Sequence, residues 1–208
     1  VVAETIKYGL TGLEYFLGVP GTVGGAVLNN AHYLSDLISQ HVKRVRIITA
    51  DDKVEWLQAS ECEFGYDHSR FQKSGEIILG VEFLLRPGDA ATSQQLITKA
   101  TQYRATTQPL GLPSSGCIFQ NTPNTPHLQE LFPQFADKTH VPGGFLIDQA
   151  GLKGERRGDL EVSHKHAAFI VNHGGGTAHE LKALIAHVKD TVKNKFGVEL
   201  HEEVFFLS

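Results

Sequence analysis

Residues 18–26 read Gly18-Val19-Pro20-Gly21-Thr22-Val23-Gly24-Gly25-Ala26, with Asn29 and Asn30 close behind. The segment follows an apolar run of Leu13, Tyr15, Phe16 and Leu17. Glycines this dense let the backbone adopt φ > 0 and come close to a bulky ligand. Successive N–H groups in such a turn can form a concavity for an anion such as a pyrophosphate. The spacing departs from the dinucleotide fingerprint Gly-x-Gly-x-x-Gly, no strand–helix–strand frame surrounds it, and no Walker lysine follows. A doubly wound nucleotide-binding sheet is therefore not expected. Taken alone, the segment reads equally as a Gly/Pro turn with no ligand.

Working outward, Thr11 is placed to cap a short helix that Gly18 and Pro20 end after Leu17. Residues 42–49 and 54–57 read as two strands joined at Asp51-Asp52, a hairpin. Residues 77–85 form a nearly continuous apolar strand, expected to be buried on both faces. From Ser93 to about Thr106 a helix places Leu96, Ile97, Ala100 and Tyr103 on one side. Residues 108–126 hold four prolines and read as loop. A short helix is expected over 145–150 and a buried strand over 167–171. Thr177 and Glu180 form a capping box for a helix over 178–195, with Leu181, Leu184, Ile185, Val188 and Val192 as its apolar stripe and Gly197 as its stop. A last strand is expected over 199–207. This order is α+β, its strands spaced too irregularly for a doubly wound sheet. A shift in composition near residues 90–110 marks a boundary.

The chain has 208 residues, 41% hydrophobic and 20% charged, with a net charge of −4. That suits a globular protein of one large or two modest domains. No basic excess exists to neutralise phosphates, so a nucleic-acid partner is not expected. No apolar run reaches the roughly 18 residues that span a membrane, and no signal peptide is visible at the start. Cys62 and Cys117, the two cysteines, offer no disulfide framework, which makes a reducing, cytoplasmic setting the default. The histidines are scattered; His164 and His166 would share a face of a strand, but no metal site is expected. The chain begins Val1-Val2 and has no methionine, and so reads as a fragment, a processed form or a trimmed one.

Chemistry can sit in several places. Pro113-Ser114-Ser115-Gly116-Cys117-Ile118-Phe119-Gln120-Asn121 presents a thiol from a small-residue turn, then an amide. A thiol can donate a proton, attack as a nucleophile or simply pack. Arg104 offers the planar fork that suits phosphate or carboxylate, or is a surface arginine. Glu202 and Glu203 would fall on opposite faces of a strand, so that one carboxylate turns inward and can act as an acid. Residues 64–71, Phe-Gly-Tyr-Asp-His-Ser-Arg-Phe, mix aromatic and ionisable groups in a loop.

Together these segments resemble the UDP-N-acetylenolpyruvoylglucosamine reductase family of flavoenzymes, also called MurB. Gly12-Leu13-Glu14 leads into the stretch at 18–26. Then follow Tyr66 to Phe71, Arg104 with Gln108-Pro109-Leu110, and the stretch at 113–121. Leu146-Ile-Asp-Gln-Ala-Gly-Leu-Lys-Gly154, His166-Ala-Ala-Phe-Ile-Val-Asn172 and Phe196-Gly-Val-Glu-Leu-His-Glu-Glu-Val204 complete an ordered set from about residue 9 to 208. The resemblance implies the second subdomain of a PCMH/VAO-type FAD-binding domain at 1–103 and a small α+β substrate-binding domain at 104–196. A C-terminal strand at 197–208 would return to the FAD-binding region. The family's first FAD-binding subdomain, with its Gly-Ser-Asn motif, has no match here. Implied is a monomer that uses FAD and NADPH to reduce UDP-N-acetylglucosamine enolpyruvate to UDP-N-acetylmuramate for peptidoglycan synthesis. Cys117, standing where the family usually has serine, would protonate C2 of the enolpyruvyl group. Glu203 would polarise its carboxylate. Arg104, Asn121 and Tyr66 would bind substrate, and Gly18, Pro20, Gly21, Thr22, Gly24, Gly25 and Ala26 would line the FAD site.

The chain also departs from that pattern. Tyr-Arg-x-Ser becomes Tyr66-Asp67-His68-Ser69, which removes an arginine that steadies the glutamate; Arg70 would have to reach back to replace it. Arg-x-x-Lys becomes Arg104-Ala-Thr-Thr107, Glu-Val-Arg becomes Glu203-Val204-Phe205, and Asn-Ala-Gly becomes Asn30-Ala31-His32. A diverged relative that binds flavin or a nucleotide sugar without catalysis is the alternative. Another FAD-linked oxidase of similar fold is disfavoured by the stretch at 146–154, which matches the reductase's substrate domain.

Overall fold

The computed structural model describes residues 1–206. The chain divides into two compact units, Val1–Tyr103 and Arg104–Ser208. The first contains α1 (Val2–Lys7), β1 (Leu10–Thr11), α2 (Val23–Leu28), β2 (His32–Tyr33), β3 (Asp36–Leu37), β4 (Val42–Ile48), β5 (Val54–Gln58), α3 (Phe71–Ser74), β6 (Ile77–Phe83), β7 (Arg86–Pro87) and most of α4 (Ala90–Thr107). β4 lies between β5 and β6, antiparallel to both. The expected hairpin joins β4 to β5: Asp52 takes a left-handed φ of 59° and the Thr49 N–H donates to the Lys53 carbonyl at 2.9 Å. On the inner face Val45, Ile47 and Leu57 pack with Val27 of α2, Cys62 and Phe71. On the outer face the Arg44 guanidinium lies 4.4 Å from the centre of the Trp56 ring.

Three expectations need correction in this unit. The apolar strand at 77–85 is not buried on both faces. It ends at Phe83 and flanks β4 on one side only, with Ile77 60% and Leu79 46% exposed. The helix expected after Thr11 is one 3₁₀ turn, Glu14–Phe16. Thr11 lies in β1, and its hydroxyl donates to Glu14 Oε1 at 2.6 Å instead of capping a backbone. The 93–106 helix begins three residues earlier. Asp89 Oδ2 accepts from the Thr92 N–H at 2.8 Å and starts it, and Ser93, Ile97 and Ala100 are its buried side.

The second unit holds β8 (Thr122–Pro123), α5 (Pro126–Leu131), β9 (His140–Val141), α6 (Gly143–Gln149), β10 (Arg156–Arg157), β11 (Leu160–Val162), β12 (Ile170–Asn172) and α7 (Ala178–Phe196). β11 sits between β10 and β12, and β8 pairs with β9, all antiparallel. The α7 stripe of Leu184, Ile185, Val188 and Val192 packs into a core with Leu146, Ile147, Val162 and Leu200. Both ends of α7 follow the sequence. The Thr177–Glu180 capping box is present, and Gly197 closes the helix at φ 68°. Two strands do not. Residues 167–168 form a buried turn, closed by the Phe169 N–H on the His166 carbonyl at 2.9 Å; Phe169 makes an isolated bridge, and the strand itself starts at Ile170. Residues 199–206 form no strand beyond a bridge at Glu202, and Leu207 lies outside the described residues.

Mixed helices and antiparallel sheets make the fold α+β. Among the described residues no helix is long and apolar enough to cross a membrane. Nor does any group of three or more His, Cys, Asp and Glu side chains among them stand ready to hold a metal.

Candidate functional site

In the first unit Thr22 Oγ1 accepts from the Gly25 N–H at 3.0 Å and caps α2. Gly24, Gly25 and Ala26 are therefore in a helical turn, and only Gly18 to Thr22 remain irregular. Gly18 and Gly21 take φ of 81° and 128°. A side chain at Gly21 would meet nothing within 4 Å, one at Gly24 would touch only Ile78 and Thr22 at 3.9 Å, and one at Gly25 would reach Thr22 Oγ1 at 3.4 Å. The backbone conformation itself calls for glycine at Gly21, whereas at Gly24 neither backbone nor packing demands it. The bare backbone is a surface that a flat ligand can lie against.

The far end of α2 is sewn to the loop that carries Tyr66. Asn30, 1% exposed, donates from Nδ2 to the Gly65 carbonyl at 2.7 Å and accepts from the Ser39 N–H at 3.1 Å. The Ser69 hydroxyl donates to the Leu28 carbonyl at 2.6 Å. Gly65 and His68 exchange backbone hydrogen bonds, which leaves Tyr66 and Asp67 at the tip, Asp67 with a left-handed φ of 48°. Asp67 Oδ1 is 3.2 Å from His32 Nδ1, and the His32 and Tyr66 rings lie 5.1 Å apart. Arg70 does not reach back to this tip: its fork grips Glu76 at 3.1 and 2.8 Å and the Glu61 carbonyl at 3.2 Å. His32 was not among the candidates read from the sequence. Its one signal there is the departure at Asn30-Ala31-His32.

In the second unit three separate segments are laced by backbone. The Asn172 N–H donates to the Pro113 carbonyl at 2.9 Å, anchoring the small-residue loop, and Gly116 turns at φ 85°. Cys117 then bridges Phe169, the Ile118 N–H donates to Ala168 at 2.8 Å, and Phe119 bridges Glu202. The Glu203 N–H donates to the Ile118 carbonyl at 2.8 Å. Cys117 and Glu203, both half-buried, therefore leave the backbone on neighbouring rungs. Glu202 accepts twice from Lys189 Nζ at 3.0 Å. Asn121 Oδ1 accepts from the Gly143 N–H at 3.3 Å and so ties the loop to the start of α6. Only glycine fits at 143, because a Cβ would lie 2.5 Å from the Gln120 carbonyl oxygen. Arg104 is half-buried in the last turn of α4.

His166 packs edge-on against Phe169, and its Nδ1 accepts from the Ala168 N–H at 3.3 Å. Burial holds the imidazole below its usual pKa, so it is neutral with the proton on Nε2. His164, by contrast, is exposed and lies 3.7 Å from Glu161. The turn separates the two histidines that a strand would have put on one face.

Residues 108–207, which include Cys117, Asn121 and Glu203, match the family model for the C-terminal domain of UDP-N-acetylenolpyruvoylglucosamine reductase. The reductase of that name from Streptococcus pyogenes serotype M5 is 38% identical over 205 residues, 97% of this chain and 64% of the relative. The one from Chlamydia felis is 42% identical over 196 residues, 94% of this chain and 60% of the relative. Over nearly its whole length the chain is similar to MurB reductases. The crystal structure of MurB from Thermus caldophilus superposes with a TM-score of 0.79 at 30% identity, over 97% of this chain and 66% of that one. The chain thus spans a little under two thirds of these MurB relatives, and the matched domain contains the whole laced region of the second unit.

Proposed function

We propose that this chain is the part of a MurB-type flavoenzyme that reduces UDP-N-acetylglucosamine enolpyruvate to UDP-N-acetylmuramate with NADPH, a step of peptidoglycan precursor synthesis carried out by a cytoplasmic monomer. Residues 1–103 serve as the second FAD-binding subdomain, of the PCMH/VAO type, and 104–196 as the substrate domain. The bare glycine backbone suits a flavin nucleotide, which Gly18, Pro20, Gly21, Thr22, Gly24, Gly25 and Ala26 would hold. When bound, FAD would supply hydride chemistry between NADPH and C3 of the enolpyruvyl group. Arg104, Asn121 and Tyr66 hold the substrate. The Gly143 N–H, donating to Asn121 Oδ1, helps to orient that side chain. Glu203 polarises the substrate carboxylate as enolate character builds. Cys117 delivers the proton to C2, a task for which a thiol is better suited than a hydroxyl because it is the stronger acid.

What supports the reading most is the lacing that sets Cys117 and Glu203 on neighbouring rungs inside the matched reductase domain. The test uses protein expressed from the complete reading frame. Its flavin should bleach with NADPH under anaerobic conditions and recover with the enolpyruvyl sugar. In Cys117→Ala, bleaching should persist while recovery slows by on the order of 10²- to 10⁴-fold. Equal loss of both half-reactions would remove Cys117 from the proton-donor role. A colourless protein, or one that never recovers, would favour the non-catalytic alternative.

A further inference from the structure

We propose that Lys189 of α7 is a positioning residue for Glu203: by holding the adjacent Glu202, it sets which of two consecutive carboxylates the C-terminal segment presents to the substrate. This rests on the reductase reading above.

The segment that carries both glutamates is thinly attached through its backbone. The Gln120 N–H donates to the His201 carbonyl at 2.9 Å, the Glu203 N–H donates to the Ile118 carbonyl at 2.8 Å, and Phe119 and Glu202 form one isolated bridge. Leu200, fully buried, anchors the chain before that bridge, and Val204 packs against the same core after it. Between these anchors stand two carboxylates of identical chemistry. A local slip of one residue along so short a pairing would exchange them. What distinguishes them is a contact that grips one and not the other.

Lys189 makes that contact. Its Nζ donates to both oxygens of Glu202 at 3.0 Å, and the two side chains are 27% and 29% exposed. Water therefore screens the pair only in part, and either charge left alone would be partly buried without its counterpart. Lys189 is also a firm post, because Val188 and Val192 beside it on α7 are fully buried in the core. Lys182, about two turns earlier on α7 and so on the same face, holds its Nζ 5.0 Å from the centre of the Phe206 ring. With Glu202 and Phe206 the two lysines line a cleft of about 290 Å³. The segment thus stands off α7 on this side, and long cationic side chains rather than close packing span the gap. Of the two, Lys189 bears on Glu203, since its partner is the adjacent residue.

The experiment uses protein from the complete reading frame, follows the two half-reactions apart well below the melting temperature, and records that temperature. Lys189→Met should bleach with NADPH at the parent rate and slow recovery with the enolpyruvyl sugar by roughly tenfold to a hundredfold, the effect of displacing a reacting group by about 1 Å. Lys189→Arg, which keeps the charge, should recover most of that. Glu202→Ala should slow recovery to a similar extent. Combined with Lys189→Met it should add nothing, because both act through one contact. Lys189→Met that recovers at the parent rate overturns the proposal, and a lowered melting temperature beside it would leave the pair a purely structural role. Fully additive effects of Lys189→Met and Glu202→Ala also overturn it. So does Glu203→Gln that recovers as fast as the parent while Glu202→Ala does not, which would make Glu202 the working carboxylate. An unsubstituted protein whose flavin bleaches but never recovers defeats the reductase reading first, and this inference falls with it.

Discussion

The Cys62 sulfur is buried and donates to the Gln58 carbonyl at 3.3 Å. Burial pushes its thiol up to about 11, although the Arg70 charge works the other way. Cys117 is half-buried and follows Gly116 at the rim of the laced region. Since the thiolate is the reactive form, iodoacetamide at about pH 8 should alkylate Cys117 and spare Cys62 in the folded protein. Intact-mass analysis should therefore find a single adduct, none in Cys117→Ala, and two in the unfolded parent. Comparable modification of both sites in the native state would contradict these surroundings. The candidate site was legible in unequal measure. Cys117, Asn121 and Glu203 stand in dense local motifs, so their residue types and spacing pointed to them. That backbone pairing brings the segments of Cys117 and Glu203 together could not be read from spacing, because they are far apart along the chain. His32 stayed hidden for the same reason: its contact with Asp67 joins positions far apart in sequence.

At the level of elements, strong local signals carried over and weak ones did not. α7 has a period, a cap and a stop, and all three are where the sequence put them. α2 has none of these in its composition. Two glycines disfavour a helix, yet Thr22 caps it and Val27, fully buried in the core beneath the sheet, holds it in place. Residues 199–206 are rich in strand formers but find a partner only around Phe119, so pairing stops at one bridge. The run beginning at Ile77 was continuous enough to suggest burial on both sides, whereas strand geometry turns alternate residues outward and leaves Ile77 and Leu79 exposed. The α7 cap supplies a direct test. Thr177→Ala removes the acceptor for the Glu180 N–H, so it should destabilise the protein by about 0.5–2 kcal/mol in urea unfolding, and Thr177→Ser should restore most of it. A Thr177→Ala protein as stable as the parent would mean that packing of the apolar stripe alone sets the helix start.

Taken whole, the molecule carries 23 Asp and Glu against 19 Lys and Arg, and each of its two units buries a carboxylate whose pKa folding lowers. In the first unit burial would push Glu14 up, but hydrogen bonds from Ser93 at 2.5 Å, Thr11 at 2.6 Å and the Gly12 N–H at 2.8 Å outweigh it and hold the carboxyl below its usual range. In the second, burial opposes and Arg156 and His173 prevail, so Glu161 is lowered too. A carboxyl lowered by folding contributes stability that is complete above its unfolded value of about 4.3 and is lost as pH falls through the folded value. Acid should therefore weaken both units, and Glu14→Gln should separate their contributions. That variant keeps the shape of the site but gives up hydrogen bonds to a charge, worth about 1–3 kcal/mol near neutral pH. It should also lose less stability than the parent between about pH 5 and pH 3, since nothing remains at residue 14 to protonate. Urea unfolding across that range measures both effects. A Glu14→Gln protein that matches the parent's slope would place the acid sensitivity elsewhere, and Glu161→Gln would then be the variant that flattens it.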